Sequence, residues 1–177
     1  MIRRINLFGG PGCGKSTTAA SIYATLRTKD VDIELVPEYI KNWAYENKKC
    51  VSFDQLYVFS KQLRAEDLLL RSDVKYIVSD SPLIMQIAYV KKYAVAPILD
   101  ELLGITNKFE EKYPSLNIWL DRKGIPYKEN GRYEDYEAAL AMDDWIKALM
   151  DEVGLEYETF ETRKTGKISS ALLQQLQ

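Results

Sequence analysis

An α/β fold with a largely parallel sheet is predicted by three observations. Strand-like and helix-like segments alternate from one end of the chain to the other. A glycine-rich run separates the first strand from the first helix. The length, 177 residues of which 46% are apolar, supports one sizeable core without room for two ordinary domains. Residues 1–177 are therefore expected to form a single domain.

Ile5-Asn6-Leu7-Phe8 reads as the first strand. From Ser16 to Leu26, Ala19, Ile22, Tyr23 and Leu26 fall at i, i+3, i+4 and i+7, an amphipathic helix. Ile33-Glu34-Leu35-Val36 is a second strand, halted by Pro37. A longer helix follows, with Phe53, Leu56, Tyr57, Ser60, Leu63 and Asp67 along one stripe and Leu68 to Leu70 closing it. Tyr76-Ile77-Val78-Ser79 reads as a buried third strand ending in Asp80-Ser81-Pro82. Leu83 to Tyr93 and Ile98 to Tyr113 are helical in pattern, with Pro97 as the break between them. Asn117 to Leu120 is a fourth strand, and the polar stretch from Asp121 to Asn130 reads as a long functional loop. A helix over about 134–152, a strand at Tyr157 to Phe160 and a closing helix at Ile168 to Leu176 complete the order. Thr162 to Gly166 is expected to be a polar connection.

Composition removes several chemistries. Histidine is absent, so a histidine base, a Ser–His triad and a histidine-ligated metal are excluded. Two cysteines, Cys13 and Cys50, are too few for a disulfide scaffold or a cysteine-ligated zinc. The net charge of −2 argues against a surface coated in positive charge for indiscriminate nucleic-acid binding, though a local basic groove stays possible. No signal-peptide core or membrane-spanning apolar run is read, so a soluble, cytoplasmic protein of a reducing compartment is expected.

Gly9-Gly10-Pro11-Gly12-Cys13-Gly14-Lys15-Ser16 satisfies the G-x-x-x-x-G-K-[ST] pattern. Glycines at these positions let successive backbone N–H groups turn inward around a phosphate, and the loop feeds a helix N-terminus. Gly10, Gly12, Cys13, Gly14, Lys15, Ser16 and Thr17 are the expected nucleotide contacts. Lys15 would reach the β- and γ-phosphates and the Ser16 hydroxyl would ligate Mg²⁺, making ATP and Mg²⁺ the expected cofactors. Cys13 fills a variable position, where a small tolerated residue is a simpler reading than a reactive thiol.

No N-K-x-D run for guanine follows, and the third strand carries one acid rather than the paired acids of an oligomeric ATPase module. Gly9 to Ser16, Val36-Pro37-Glu38-Tyr39, Asp80-Ser81-Pro82 and a basic lid, Arg122-Lys123 through Asn130-Gly131-Arg132, together resemble the nucleoside and nucleotide kinases. The nearest shapes are the thymidylate-kinase and deoxynucleoside-kinase superfamily and ribosylnicotinamide-kinase-like proteins of phages. Phage 5-hydroxymethyluracil DNA kinases belong to the same broad group. The resemblance implies a P-loop NTPase three-layer sandwich with a five-stranded parallel sheet and a lid at about 121–134. It also implies a nucleotide site at the carboxyl ends of the strands, and a host-cytoplasm location if the protein is phage-encoded.

Phosphoryl transfer needs alignment, charge neutralisation and a group that takes the acceptor's proton. Without histidine that group is a carboxylate or a water held by one, and Glu38 and Asp80 both remain candidates. In the kinases this chain resembles, a glutamate at the position of Glu38 contacts the acceptor hydroxyl. Asp80, at a strand end, suits a Mg²⁺ or acceptor role, though it or Ser81 would also serve as a helix cap. Arg132, behind an Asn-Gly turn, is the first lid candidate, with Arg122 and Lys123 next and Lys128 an ordinary exposed lysine. The resemblance places a base-reading glutamine near the start of the long helix. It makes Gln55, Gln62 and Arg64 acceptor candidates, with Trp43 and Tyr57 as stacking surfaces.

The expected activity is transfer of the ATP γ-phosphate to a hydroxyl of a nucleoside- or nucleotide-type acceptor. One alternative places the acceptor in DNA, as the hydroxymethyl group of 5-hydroxymethyluracil, and needs Lys41, Lys48, Lys49, Lys91 and Lys92 on one face with the lid. Another is a partner-dependent P-loop ATPase or switch without a small acceptor.

Overall fold

The computed structural model describes residues 2–93, 97–128 and 132–176. Five strands form one parallel sheet, β1 (Arg4–Phe8), β2 (Ile33–Val36), β3 (Tyr76–Ser79), β4 (Ser115–Asp121) and β5 (Glu158–Glu161), in the order β2-β3-β1-β4-β5. Register is continuous: Ile5 lies opposite Val78 on one side and Leu116 on the other, and Val36 opposite Ser79. The glycine loop after β1, Glu38 after β2, Asp80 after β3 and Arg122 after β4 therefore leave the sheet at the same edge. That edge is where open α/β sheets place ligands.

Helices cover both faces, so the fold is the predicted three-layer α/β sandwich. Alternation along β1 sends Ile5 and Leu7 toward α1 (Lys15–Arg27) and α7 (Thr165–Leu176), with Ile22, Leu26, Ile168 and Leu172 buried there. Phe8, Ile77 and Trp119 face the other layer, formed by α3 (Asp54–Leu70), α4 (Leu83–Tyr93), α5 (Leu99–Lys112) and α6 (Tyr136–Glu152). Leu83 through Ala88 are all buried, since α4 is surrounded by its neighbours. A short α2 (Lys41–Tyr45) follows β2. No helix among the described residues is long and apolar enough to cross a membrane.

Three expectations need correction. The buried stripe of α3 is Gln55, Val58, Phe59, Gln62, Glu66 and Leu70, whereas Phe53, Leu56 and Tyr57 are exposed. Polar partners inside the fold decide this. Arg4 donates to Glu66 from Nε at 3.1 Å and Nη2 at 2.9 Å, Ser79 Oγ donates to Glu66 at 3.1 Å, and Glu110 pairs with Arg4 at 2.7 Å. A buried carboxylate with this many partners is tolerated where a lone one is not. Secondly, the segment after β5 is not a plain connection: a 3-10 turn covers Thr162–Lys164 and α7 already begins at Thr165. Thirdly, α2 was not expected, being too short to show a periodicity.

Candidate phosphate and acceptor site

The glycine loop is shaped as its spacing requires. Gly14, at φ 94°, is the left-handed N-cap of α1, and a Cβ built there would lie 2.5 Å from Thr162 Cγ2. Gly12, at φ 77°, packs under the Tyr127 ring, again 2.5 Å from a built Cβ. Lys15 Nζ donates to the Gly9 and Gly10 carbonyls at 2.7 and 3.1 Å, curling over the loop's own backbone. Burial lowers the Lys15 pKa, but Cys13, Glu38 and Asp80 around it outweigh that and leave it above the ordinary lysine value. Burial pushes the Cys13 thiol up, and its side chain is enclosed in the core. That supports the packing role over the reactive one.

A cavity of about 650 Å³ opens beside the loop. Pro11, Gly12, Gly14, Lys15, Ser16 and Thr17 form its phosphate end, and Glu38, Gln55, Gln86, Tyr89 and Tyr93 its opposite wall. Arg132, Tyr133 and Glu134, from the segment expected to be a lid, also line it. The Tyr133 hydroxyl donates to the Lys48 carbonyl at 2.5 Å and the Tyr93 hydroxyl to Glu134 at 3.2 Å. Arg132 Nε donates to the Lys128 carbonyl at 2.9 Å. The Asn130-Gly131 turn expected to project Arg132 lies outside the described residues. A smaller adjoining cavity is lined by Ser16, Glu38, Tyr39, Lys41 and Asp80 among others.

Both candidate carboxylates thus meet the phosphate loop. Burial raises the Glu38 pKa, Asp80 adds to the rise, and Lys15, Lys41 and Arg132 only partly offset it. Asp80 Oδ1 and Ser81 Oγ are buried and lack a hydrogen-bond partner among the described residues, so neither atom caps α4. Mg²⁺ takes one or two protein oxygens together with water and phosphate oxygens. Ser16 and Asp80 line one cavity, and a serine hydroxyl with a carboxylate fits such a donor set; the enclosed Asp80 Oδ1 has no hydrogen-bond partner among the described residues.

A hydrogen-bond chain supports this arrangement. Gln62 accepts from the Tyr39 backbone N–H at 3.2 Å, next to Glu38, and its amide reaches Glu66 at 3.5 Å. Glu66 in turn holds Ser79, next to Asp80. Gln62 is therefore a buried strut behind Glu38 rather than part of the cavity wall.

Several expected residues stand elsewhere. Gly10 offers no free amide to a nucleotide, because its N–H donates to Asp143 at 2.5 Å. Arg122 donates to Asp143 at 2.5 Å, to the Pro11 carbonyl at 3.0 Å and to the Ala139 carbonyl at 3.2 Å, so it braces the outside of the loop. Gln55 is buried in the cavity wall and accepts from Cys50 Sγ at 2.8 Å. Arg64 is exposed on α3 and outside both cavity linings. Trp43 and Tyr57 stack on each other with centroids 6.1 Å apart, and neither is among the described lining residues. Lys48 covers Trp43, Lys91 pairs with Glu152 and Lys92 lies over Tyr93, whereas Lys41 and Lys49 line the cavity. Lys48, Lys91 and Lys92 are thus engaged in local contacts, and Lys41 and Lys49 share the cavity lining.

Sequence reasoning missed Asp143, Gln86 and Tyr89, and named Lys41 only as part of a DNA-binding face, not as a partner of Ser16. Gln86 had a signal, as a glutamine inside an apolar helix, and Lys41 falls three residues after Glu38. Asp143 had none, since nothing marks one acid among several on α6.

No curated relative matches this chain by sequence. Among solved structures, the NadR protein in complex with NR superposes with a TM-score of 0.69 at 15% identity, covering 89% of this chain. This chain spans only 45% of that one. YorR from Bacillus subtilis, in complex with phosphorylated GDP, gives 0.60 at 17% identity, covering 98% of this chain and 95% of its own. Deoxyadenosine kinase from M. mycoides, with the products dCMP and dCDP, gives 0.60 at 15% identity with 98% of both chains covered. The chain thus shares its fold with these three proteins. A family model for the AAA domain matches residues 4–166, and the chain belongs to that family.

Proposed function

We propose that residues 1–177 act as one ATP-dependent phosphotransferase domain whose acceptor is a hydroxyl on a nucleoside- or nucleotide-type molecule. One observation carries the reading: Lys15 and Ser16 of the phosphate loop share a single cavity with Glu38 and with a wall of Gln55, Gln86 and Tyr89. A switch without a small acceptor has no use for such a chamber. Two of the structural neighbours named above support the same reading: YorR holds phosphorylated GDP and the M. mycoides protein is a deoxyadenosine kinase.

In this mechanism the loop amides and Lys15 hold the triphosphate, and bound Mg²⁺ supplies charge neutralisation on the phosphoryl oxygens. The acceptor oxygen attacks the γ-phosphorus, the bond from that phosphorus to the bridging oxygen of ADP breaks, and ADP leaves. Glu38 takes the acceptor proton. Its raised pKa makes it a stronger base than an ordinary carboxylate once ionised. Arg132 draws toward the negative charge as the lid closes, and Tyr133 and Glu134 limit water, the competing acceptor. Gln55 and Gln86 each offer a donor and an acceptor to the edge of a base.

The test is γ-labelled ATP with panels of nucleosides, mononucleotides, and ordinary or hydroxymethyluracil-containing DNA. Label on a nucleoside or mononucleotide supports the proposal, and label in polymer moves the acceptor to DNA. Label only in inorganic phosphate defeats both.

A further inference from the structure

The Lys41 ammonium donates to Ser16 Oγ at 3.0 Å. Ser16 is the hydroxyl placed above to meet Mg²⁺, and Lys41 lines both the main cavity and the smaller one that contains Asp80. Among the described residues no salt bridge engages Lys41. Its charge is directed at a neutral hydroxyl, although Glu38 and Asp80 line the same small cavity. Glu38 also feels it, since Lys41 is among the charges that oppose the rise of its pKa. An ammonium thus sits against the oxygen that a hydrated divalent ion needs, in a cavity whose lining also includes the acids Glu38 and Asp80.

We propose that Lys41 is a built-in cation that competes with Mg²⁺ for the Ser16 position. A serine hydroxyl has two lone pairs, so both cations fit geometrically, but a dication and an ammonium on one oxygen repel strongly at such short range. Without metal, Lys41 holds Ser16 and offers its charge to the β- and γ-phosphate oxygens of a free triphosphate. When Mg²⁺ arrives with the nucleotide, Lys41 gives up the hydroxyl and stays in the cavity wall. Lys41 acts as a positioning residue for Ser16. The inference rests on the nucleotide-binding reading of the loop.

The test is calorimetric titration of the full chain with ATP, in EDTA and across a Mg²⁺ series, for the wild type, Lys41→Met, Lys41→Arg and Lys15→Ala. Lys41→Met should weaken metal-free ATP binding about tenfold, as loss of a charge-assisted contact does. It should also lower the Mg²⁺ concentration that gives half-maximal ATP binding, and Lys41→Arg should retain the metal-free binding. If metal-free binding is too weak to detect in all proteins, the Mg²⁺ midpoint alone decides. An unchanged or higher midpoint in Lys41→Met overturns the inference. Should that variant fail to fold, Lys41→Arg is compared with the wild type in a Ser16→Ala background: a midpoint that differs there as much as with Ser16 present shows no competition at that oxygen. If the wild type binds no ATP even in saturating Mg²⁺, the nucleotide reading itself falls.

Discussion

Asp143 binds Arg122 and the phosphate loop with one carboxylate: Oδ2 accepts from Arg122 Nε at 2.5 Å and Oδ1 from Gly10 N–H at 2.5 Å. Arg122 also donates to the Pro11 carbonyl, so α6, the end of β4 and the loop are tied at one point. Asp143→Ala leaves both donors unsatisfied in a mostly enclosed place. It should cost about 1–3 kcal/mol of stability, read from urea denaturation, and raise the ATP KM because the loop loses its outer brace.

In the proposed mechanism Glu38 sets the pH profile. Its pKa is raised in the folded chain, chiefly by burial, so the activity it supports as a base appears only above the ordinary glutamate range. The acid limb of kcat/KM should stand correspondingly higher than for a solvated carboxylate. Glu38→Gln should remove that limb and lower kcat by about 10²–10⁴. Stability moves the other way. The folded state holds this proton more tightly than the unfolded one, so its contribution is present at low pH and is lost as pH rises through the native pKa. Denaturation of both proteins across that range shows the difference.

The Arg4–Glu66 pair is wholly buried, and removing one partner strands the other. Glu66→Ala should destabilise by about 3–5 kcal/mol. Glu110→Ala should cost less, because Glu110 is 21% exposed and leaves Arg4 still held by Glu66. Equal midpoints for the two variants in urea would contradict this account.

Gly14→Ala introduces two penalties, a left-handed backbone angle and a methyl 2.5 Å from Thr162 Cγ2. About 1–3 kcal/mol of strain is expected, with weaker nucleotide binding. Adding Thr162→Ser deletes the opposing methyl and should recover part of the melting temperature. The angle penalty stays.

Most of the frame was legible because alternation and the glycine loop are local signals. β2, β3 and α4 fall at the predicted residues, and the other predicted elements differ only at their ends. What stayed hidden is pairing across distance. The apolar residues of α3 suggested one face, yet Gln62 and Glu66 are inside because Arg4, 62 positions from Glu66, lies opposite. Arg122 had the composition of a lid residue, but its geometry is set by Asp143, 21 positions away. Trp43 and Tyr57 found each other rather than the cavity. Glu38 and Asp80 were readable because a parallel sheet brings all strand ends to one edge. Gln86 and Tyr89 reach that edge from α4, whose orientation no short-range pattern encodes.

The contact between α1 and α7 bears on biosynthesis. Ile22 and Leu26 of the phosphate-loop helix are covered by Ile168 and Leu172, and Thr162 closes against Gly14. A ribosome that has released the chain only as far as residue 160 has therefore exposed the loop sequence without the surface that seats it. Nascent chains of that length should engage chaperones and fail to retain ATP, while those long enough to dock α7 acquire both the cover and the ligand together.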